Sequence, residues 1–309
     1  MNRRERTGLR LALVTAFISG VAVFVNGYGV AAVKDATAYT TGKNLVAALV
    51  LAVVATIVSS RTRGRAAARP VTLRQRAALV LVGVIGGSVP FVLFFEGLAR
   101  ESSTTAAFLQ KTLVVWVSLL AVPLLSERVG GLQIAAIALL VVGQAMAGGS
   151  LGAVVRMPLG SGELMILAAT LLWAVEVVIA KRLLGSLTSW TVGVARMTIG
   201  SLLLVAWLAV RGRLDALTSL DGSQWAWVLV TGVILAAYVA TWFAALARAQ
   251  AVDVTAILVV AAPVTALLSS YVHHVPLGPQ IGGLVLIAAG ASVVVLARLR
   301  RPSPVRVPG

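Results

Sequence analysis

LSERVGGLQIAAIALLVVG, residues 125–143, has a second copy further along the chain: HHVPLGPQIGGLVLIAAG, residues 273–290. Each copy opens on a short polar stretch with turn formers and runs directly into an apolar helix that reaches a glycine. Two further echoes occur in the same chain order. FEGLAR at 95–100 returns as FAALAR at 243–248, and Gly20 followed 23 residues later by Lys43 matches Trp173 followed 23 residues later by Arg196. One echo is weak, because apolar helices resemble each other by composition. Several in the same order describe a duplicated unit, residues 1–150 and 151–309.

The apolar runs after 131 and 279 are two of ten. Runs of about 20 residues, the length of a helix that crosses ~30 Å of hydrocarbon, fall near 9–29, 37–59, 78–98, 104–125 and 131–149, then near 163–184, 190–210, 225–246, 253–272 and 279–298. Composition agrees, since 12% of the 309 residues are charged, about half the share in a soluble domain. Mean hydropathy is +0.98, which leaves no room for a large hydrophilic domain. The N-terminal MNRRERTGLR and the apolar residues after it have the look of a signal peptide. No small-residue cleavage site leading into a soluble domain follows, so the segment is read as the first span. The sequence predicts an all-α membrane protein of ten transmembrane helices in two five-helix repeats. Five is odd, so the second repeat is inverted relative to the first.

A net charge of +16 invites a nucleic-acid reading, but the basic residues sit between the apolar runs. With both termini cytoplasmic, 18 of the 26 fall in cytoplasmic segments and 6 in outer ones, while Lys111 and Arg196 lie within spans. That bias obeys the positive-inside rule. It fixes a multi-pass topology in the cytoplasmic membrane and gives no reason to expect a nucleic-acid partner. There is no cysteine, which excludes disulfides and thiolate metal sites.

GELMILAATLLWAVEVVIAKRLLGS, residues 162–186, resembles the opening helix of an EamA repeat of the drug/metabolite transporter (DMT) superfamily. LLSERVGGLQIAAIALLVVG, residues 124–143, is similar to the signature of that repeat, a helix end followed by the last span. The resemblance covers about residues 9–298. It implies ten helices, an inverted two-fold, and a central cavity lined mainly by helices 1, 3 and 4 of the first repeat and 6, 8 and 9 of the second. It also implies movement of small metabolites across the cytoplasmic membrane, often outward. The chain departs from the pattern at three places. The signature Glu127 is matched by His274, the mid-helix Pro263 is matched by Trp116, and Lys111 is matched by Leu258.

Ionisable side chains within spans are few, and such residues usually face a cavity or one another. Lys111, in AAFLQKTLVVWVSLLAV at 106–122, lies ~10–12 Å below the outer surface at 1.5 Å per residue. It either snorkels or pairs with a carboxylate, or it binds an anionic group of a substrate. Glu96 and Lys43 lie at similar depth, so the expected outer cluster is Lys43, Glu96 and Lys111. Glu176 and Arg196 reach a common depth in the inner third, where they are expected to pair. That pair either fixes helix orientation or lets Glu176 take up a proton and couple its movement to that of substrate. Asn26, Trp116, Trp173, Tyr238 and Trp242 can present polar or aromatic edges to the cavity.

Enzyme signals are thin. His273 and His274 are adjacent and point apart, without the i, i+4 spacing of a helical metal pair. No phosphate-cradling loop and no arrangement for nucleophilic catalysis is present. The reading is a secondary transporter without cofactor or metal, whose partners are a small-molecule substrate and the lipid bilayer. The alternatives are a membrane-embedded enzyme or a non-transporting scaffold. A homo-oligomer stays open, with Gly282, Gly283 and Gly290 permitting close helix approach.

Overall fold

The computed structural model describes residues 3–61, 72–98, 100, 106, 109–147, 160–274 and 276–300. The connection at 62–71, most of the expected start of span 4 at 104–108, the link at 148–159 that would join the two repeats, and the tail at 301–309 lie outside the described residues. The helices are α1 Arg3–Val33, α2 Ala36–Arg61, α3 Leu73–Gly87, α4 Val89–Leu98, α5 Leu113–Leu125, α6 Gly131–Ala147, α7 Ser161–Leu183, α8 Ser189–Val210, α9 Asp215–Thr218, α10 Gly222–Leu246, α11 Ala251–Leu258, α12 Ala261–His273 and α13 Ile281–Arg300.

The protein is an all-α, multi-span membrane protein. Among the described residues seven helices are long and apolar enough to cross a bilayer, counting α3 with α4 and α11 with α12 as single crossings. Where spans 4, 5 and 10 were expected stand shorter apolar helices, Leu109–Leu125, Gly131–Ala147 and Ile281–Ala297. Two of these segments border residues outside the described ones, before Leu109 and after Ala147, and the helix that holds the third, α13, runs 20 residues to Arg300. The distribution of side chains is that of a bundle in lipid. Phe17, Leu49, Leu202 and Tyr271 point outward, while Asn44, Gln133, Thr170, Glu176 and Arg196 are buried.

Caps set the helix starts. Thr72 with Gln75 and Asp221 with Gln224 form reciprocal capping boxes at α3 and α10, each satisfying two otherwise orphan backbone donors. Between α1 and α2, Lys34 adopts a left-handed φ of 61°. Asp35 Oδ1 then accepts from the backbone N–H groups of Thr37 and Ala38, both at 3.0 Å. Its other oxygen pairs with Arg213 at 2.6 Å, tying this turn to the one after α8.

Packing is reciprocal. α1 packs on α10 and on α11–α12, while α7 packs on α3–α4 and on α5. α2 packs on α10 as α8 packs on α3, the pairs α2–α8 and α6–α13 join like to like, and α5 packs on α11. The helix interruptions recur with the same spacing. Thr112 breaks the helix before α5 as Val259–Val260 break it before α12, and both segments end on a left-handed residue, Ser126 and His274, each with φ 55°. Counted from these features, Lys111 corresponds to Val259 and Trp116 to Val264. This corrects by one residue the pairing with Leu258 and Pro263 taken from the sequence echo. The echo aligns the polar segment and the span after it, while the backbone registers the span before it. Lys111 still faces an apolar counterpart.

Small residues let the closest pairs touch backbone to backbone. A Cβ on Gly87 would lie 2.5 Å from Arg196 O, and one on Gly200 would lie 2.6 Å from the Gly87 backbone. Gly283 and Gly143 make the same kind of contact between α13 and α6, where a Cβ on Gly283 would lie 2.4 Å from Gly143 O. Gly27 faces open space. Gly87→Leu and Gly200→Leu are each expected to lower thermal stability in detergent by more than the ~1–3 kcal/mol usual for an overpacked core, whereas Gly27→Ala, in open space within α1, does not lower the melting temperature and raises it slightly through helix propensity.

Candidate functional site

Pro90 sits in the first turn of α4 and has no N–H, so the carbonyl of Gly86, four residues earlier, loses its helical donor. The chain breaks at Ser88, whose hydroxyl turns back to Val84 O at 3.0 Å. The freed Gly86 carbonyl accepts from Arg196 Nη2 at 2.8 Å and from Trp173 Nε1 at 3.1 Å. One proline thereby fixes side chains from α7 and α8. Arg196 Nε also lies 3.3 Å from Glu176 Oε1, within the buried interior. The pair expected from depth alone is formed. Gly86 is required here as well, since a Cβ would lie 2.4 Å from Glu176 Cγ.

A second corner gathers on α1 and α2. Asn26 Oδ1 accepts from Tyr39 OH at 2.6 Å and from Lys43 Nζ at 3.2 Å. The ammonium also stands 5.1 Å from the centre of the Tyr39 ring, within cation–π range. Tyr39 is fully buried and escaped the sequence reading. Its one signal was a tyrosine four residues before Lys43 on the same helix face.

Between these corners lies a cavity of about 240 Å³. Asn26, Lys43, Lys111, Trp173, Glu176, Arg196, Tyr238 and Trp242 all line it. Tyr238 and Trp242 stack with centroids 6.1 Å apart and rings 10° from parallel. Trp173 packs edge-on to Phe91 at 5.5 Å. Segments from all six spans implied by the resemblance line it, but Lys43 and Arg196 come from α2 and α8, the second and seventh spans in chain order, which that expectation left out. Lys111 also borders a small side pocket, where the buried Gln144 Oε1 has no hydrogen-bond partner among the described residues.

Two expected cavity residues stand elsewhere. Glu96 turns outward and pairs with Arg100 at 3.0 Å, so the cluster of Lys43, Glu96 and Lys111 is not assembled. The i, i+4 arginine on the same helix face is the nearer partner. Trp116 is absent from the cavity wall. Its Nε1 donates to Thr112 Oγ1 at 3.1 Å, where Thr112 interrupts the helix.

At the end of the bundle read as cytoplasmic, polar groups join the two halves. Glu127 accepts from the backbone N–H groups of Ala251 at 2.6 Å and Val252 at 3.1 Å, capping α11 from outside its own segment. The sequence placed Glu127 at a helix end but not at this one. Burial pushes its carboxyl above the usual carboxylate range, against the opposing pull of those two N–H groups and of Lys181. Lys181 Nζ donates to Leu246 O at 2.5 Å and also to Ala249 O. Arg182 reaches Leu124 O at 2.6 Å, and Gln133 Nε2 donates to Asp253 Oδ1 at 2.6 Å.

The profile of the EamA-like transporter family matches residues 6–148 and again residues 160–296. The chain belongs to the EamA-like transporter family. Members of this EamA-type branch of the DMT superfamily are transporters rather than enzymes, and this EamA-like chain is accordingly a multi-pass protein of the cytoplasmic membrane. Its fold is shared by solved structures. One, described only as "Crystal structure of protein", superposes with a TM-score of 0.71 over 94% of this chain and 99% of its own at 17% identity. No curated protein matches. Among the described residues no cluster of three or more potential metal ligands occurs.

Removing one member of a buried ion pair strands the other, at a cost of about 3–5 kcal/mol. Glu176→Ala and Arg196→Met are each expected to lower unfolding stability in detergent by that order. The Glu176→Leu/Arg196→Met double variant should recover much of the loss, as a double-mutant cycle would measure. Glu127→Ala is expected to cost about 1–2 kcal/mol as a lost helix cap, measured in the same way.

Proposed function

We propose that this chain is a secondary active transporter that exports a small metabolite by alternating access, with protons coupled through Glu176. The observation that carries the reading is a cavity between segments of both family-matched stretches, with charged side chains set in a largely apolar wall. Inverted repeats with a central site are the recurring plan of secondary transporters. Ten crossings in two inverted five-helix repeats, residues 1–150 and 151–309, fit the two profile matches, the reciprocal packing and the paired helix interruptions. A scaffold has no use for such a cavity, and the family to which the chain belongs is one of transporters.

The coupling role follows from the place of Glu176 in the wall. Among the described residues its ion pair is with Arg196, and Arg196 has a second anchor in Gly86 O. Protonation of the carboxylate would dissolve the pair while leaving the arginine held, so the charge of the cavity changes without collapse of its wall. A metabolite screen on inside-out and right-side-out vesicles, with and without an imposed pH gradient, identifies the solute and its direction. With that solute, Glu176→Gln is expected to abolish accumulation driven by pH while retaining exchange of solute for solute. A Glu176→Gln protein that still concentrates solute in response to pH would remove Glu176 from the coupling step.

A further inference from the structure

The cavity wall carries more positive charge than the protein balances. Lys43 is buried, and its side-chain hydrogen bond goes to a neutral acceptor, Asn26 Oδ1. The Lys111 side chain has no hydrogen bond and no ion pair among the described residues. Glu176, the carboxylate in the wall, is taken by Arg196 at 3.3 Å. With these four groups ionised, the wall holds two positive charges in excess. The carboxylates nearby in the chain do not answer them. Glu96 is bound by Arg100 at the outer surface, and Glu163, though buried, is not part of the wall.

An unpaired cation out of water is costly, and charges within a bilayer span mark a ligand pathway or find a counter-charge. Here the missing counter-charge fits a ligand. The rest of the wall indicates its shape. Trp173, Tyr238 and Trp242 offer flat apolar faces, and at about 240 Å³ the cavity falls below the ~300 Å³ of the smallest typical ligand pockets. We infer that the cavity binds a small organic anion, its carboxylate or phosphate against Lys43 and Lys111 and its flat apolar body against the aromatic wall. This rests on the cavity being the transport site, and it assigns the substrate class that the reading above leaves open.

Binding and flux on the full chain separate the two. Purified protein is titrated with benzoate, phenyl phosphate and the neutral isostere benzamide, with thermal stabilisation as the binding readout. Benzoate or phenyl phosphate is expected to bind and benzamide not, and the tighter of the two anions tells carboxylate from phosphate. Lys111→Met should weaken the anion about tenfold or more, as loss of a charge-assisted hydrogen bond predicts, and Lys111→Arg should largely retain it. Lys43→Met should act in the same direction, with Lys111→Met deciding if Lys43→Met does not fold. Equal binding of benzamide, no binding of either anion, or an unchanged Lys111→Met affinity overturns the anion site. Flux into proteoliposomes is measured separately. An anion that binds but never crosses supports the site and overturns transport; a neutral solute that crosses without any anion binding does the reverse.

Discussion

The Gly86 carbonyl is the pivot of the site. Pro90 deprives it of a helical partner, and in a protein surrounded by lipid a freed carbonyl must be satisfied by the protein itself or by a water-lined cavity. Arg196 and Trp173 answer it from two other helices. Arg196 so held is brought against Glu176, and Trp173 is set against Phe91 at the cavity wall. A single missing N–H thus organises α3, α4, α7 and α8 around one point. The energetics favour this arrangement because each polar group within it would be expensive alone.

The opposite corner works by a weaker logic. Asn26 gathers Tyr39 and Lys43 through neutral acceptor chemistry, leaving the ammonium's charge unbalanced. One side of the cavity is therefore neutral as a unit and rigidly anchored, while the other is cationic. The end of the bundle where Glu127, Lys181 and Arg182 sit differs again. Its contacts run from side chains to backbone groups of distant segments. They tie helix ends together without placing charge in the cavity.

Much of this was legible in the sequence because lipid imposes strong rules. Apolar runs gave the helices within a few residues, and depth counting brought Glu176 and Arg196 together, since helical rise is constant. Counting depth could not say which way a side chain turns. Glu96 has the right depth but turns to Arg100 on its own helix, and Trp116 is held by Thr112. Tyr39 carries no mark beyond its place four residues before Lys43, and backbone groups such as Gly86 O have no letter in the sequence. The proline four residues on was the readable sign. The repeat register slipped by one because the echo is strongest after the polar segment, whereas the helix interruptions lie before it.

Gly86 also bears on how variation in this protein should be read. The space a side chain would need there is filled by Glu176, and its carbonyl holds the arginine that Glu176 pairs with. A change at any one of positions 86, 176 and 196 is therefore felt at the other two. A library that alters one position at a time would find each intolerant and rank all three as functional. Part of that intolerance is epistasis written into geometry. Lys111, whose side chain has no bonded partner among the described residues, is not tied into this geometry, so tolerance at position 111 would report mainly on the ligand.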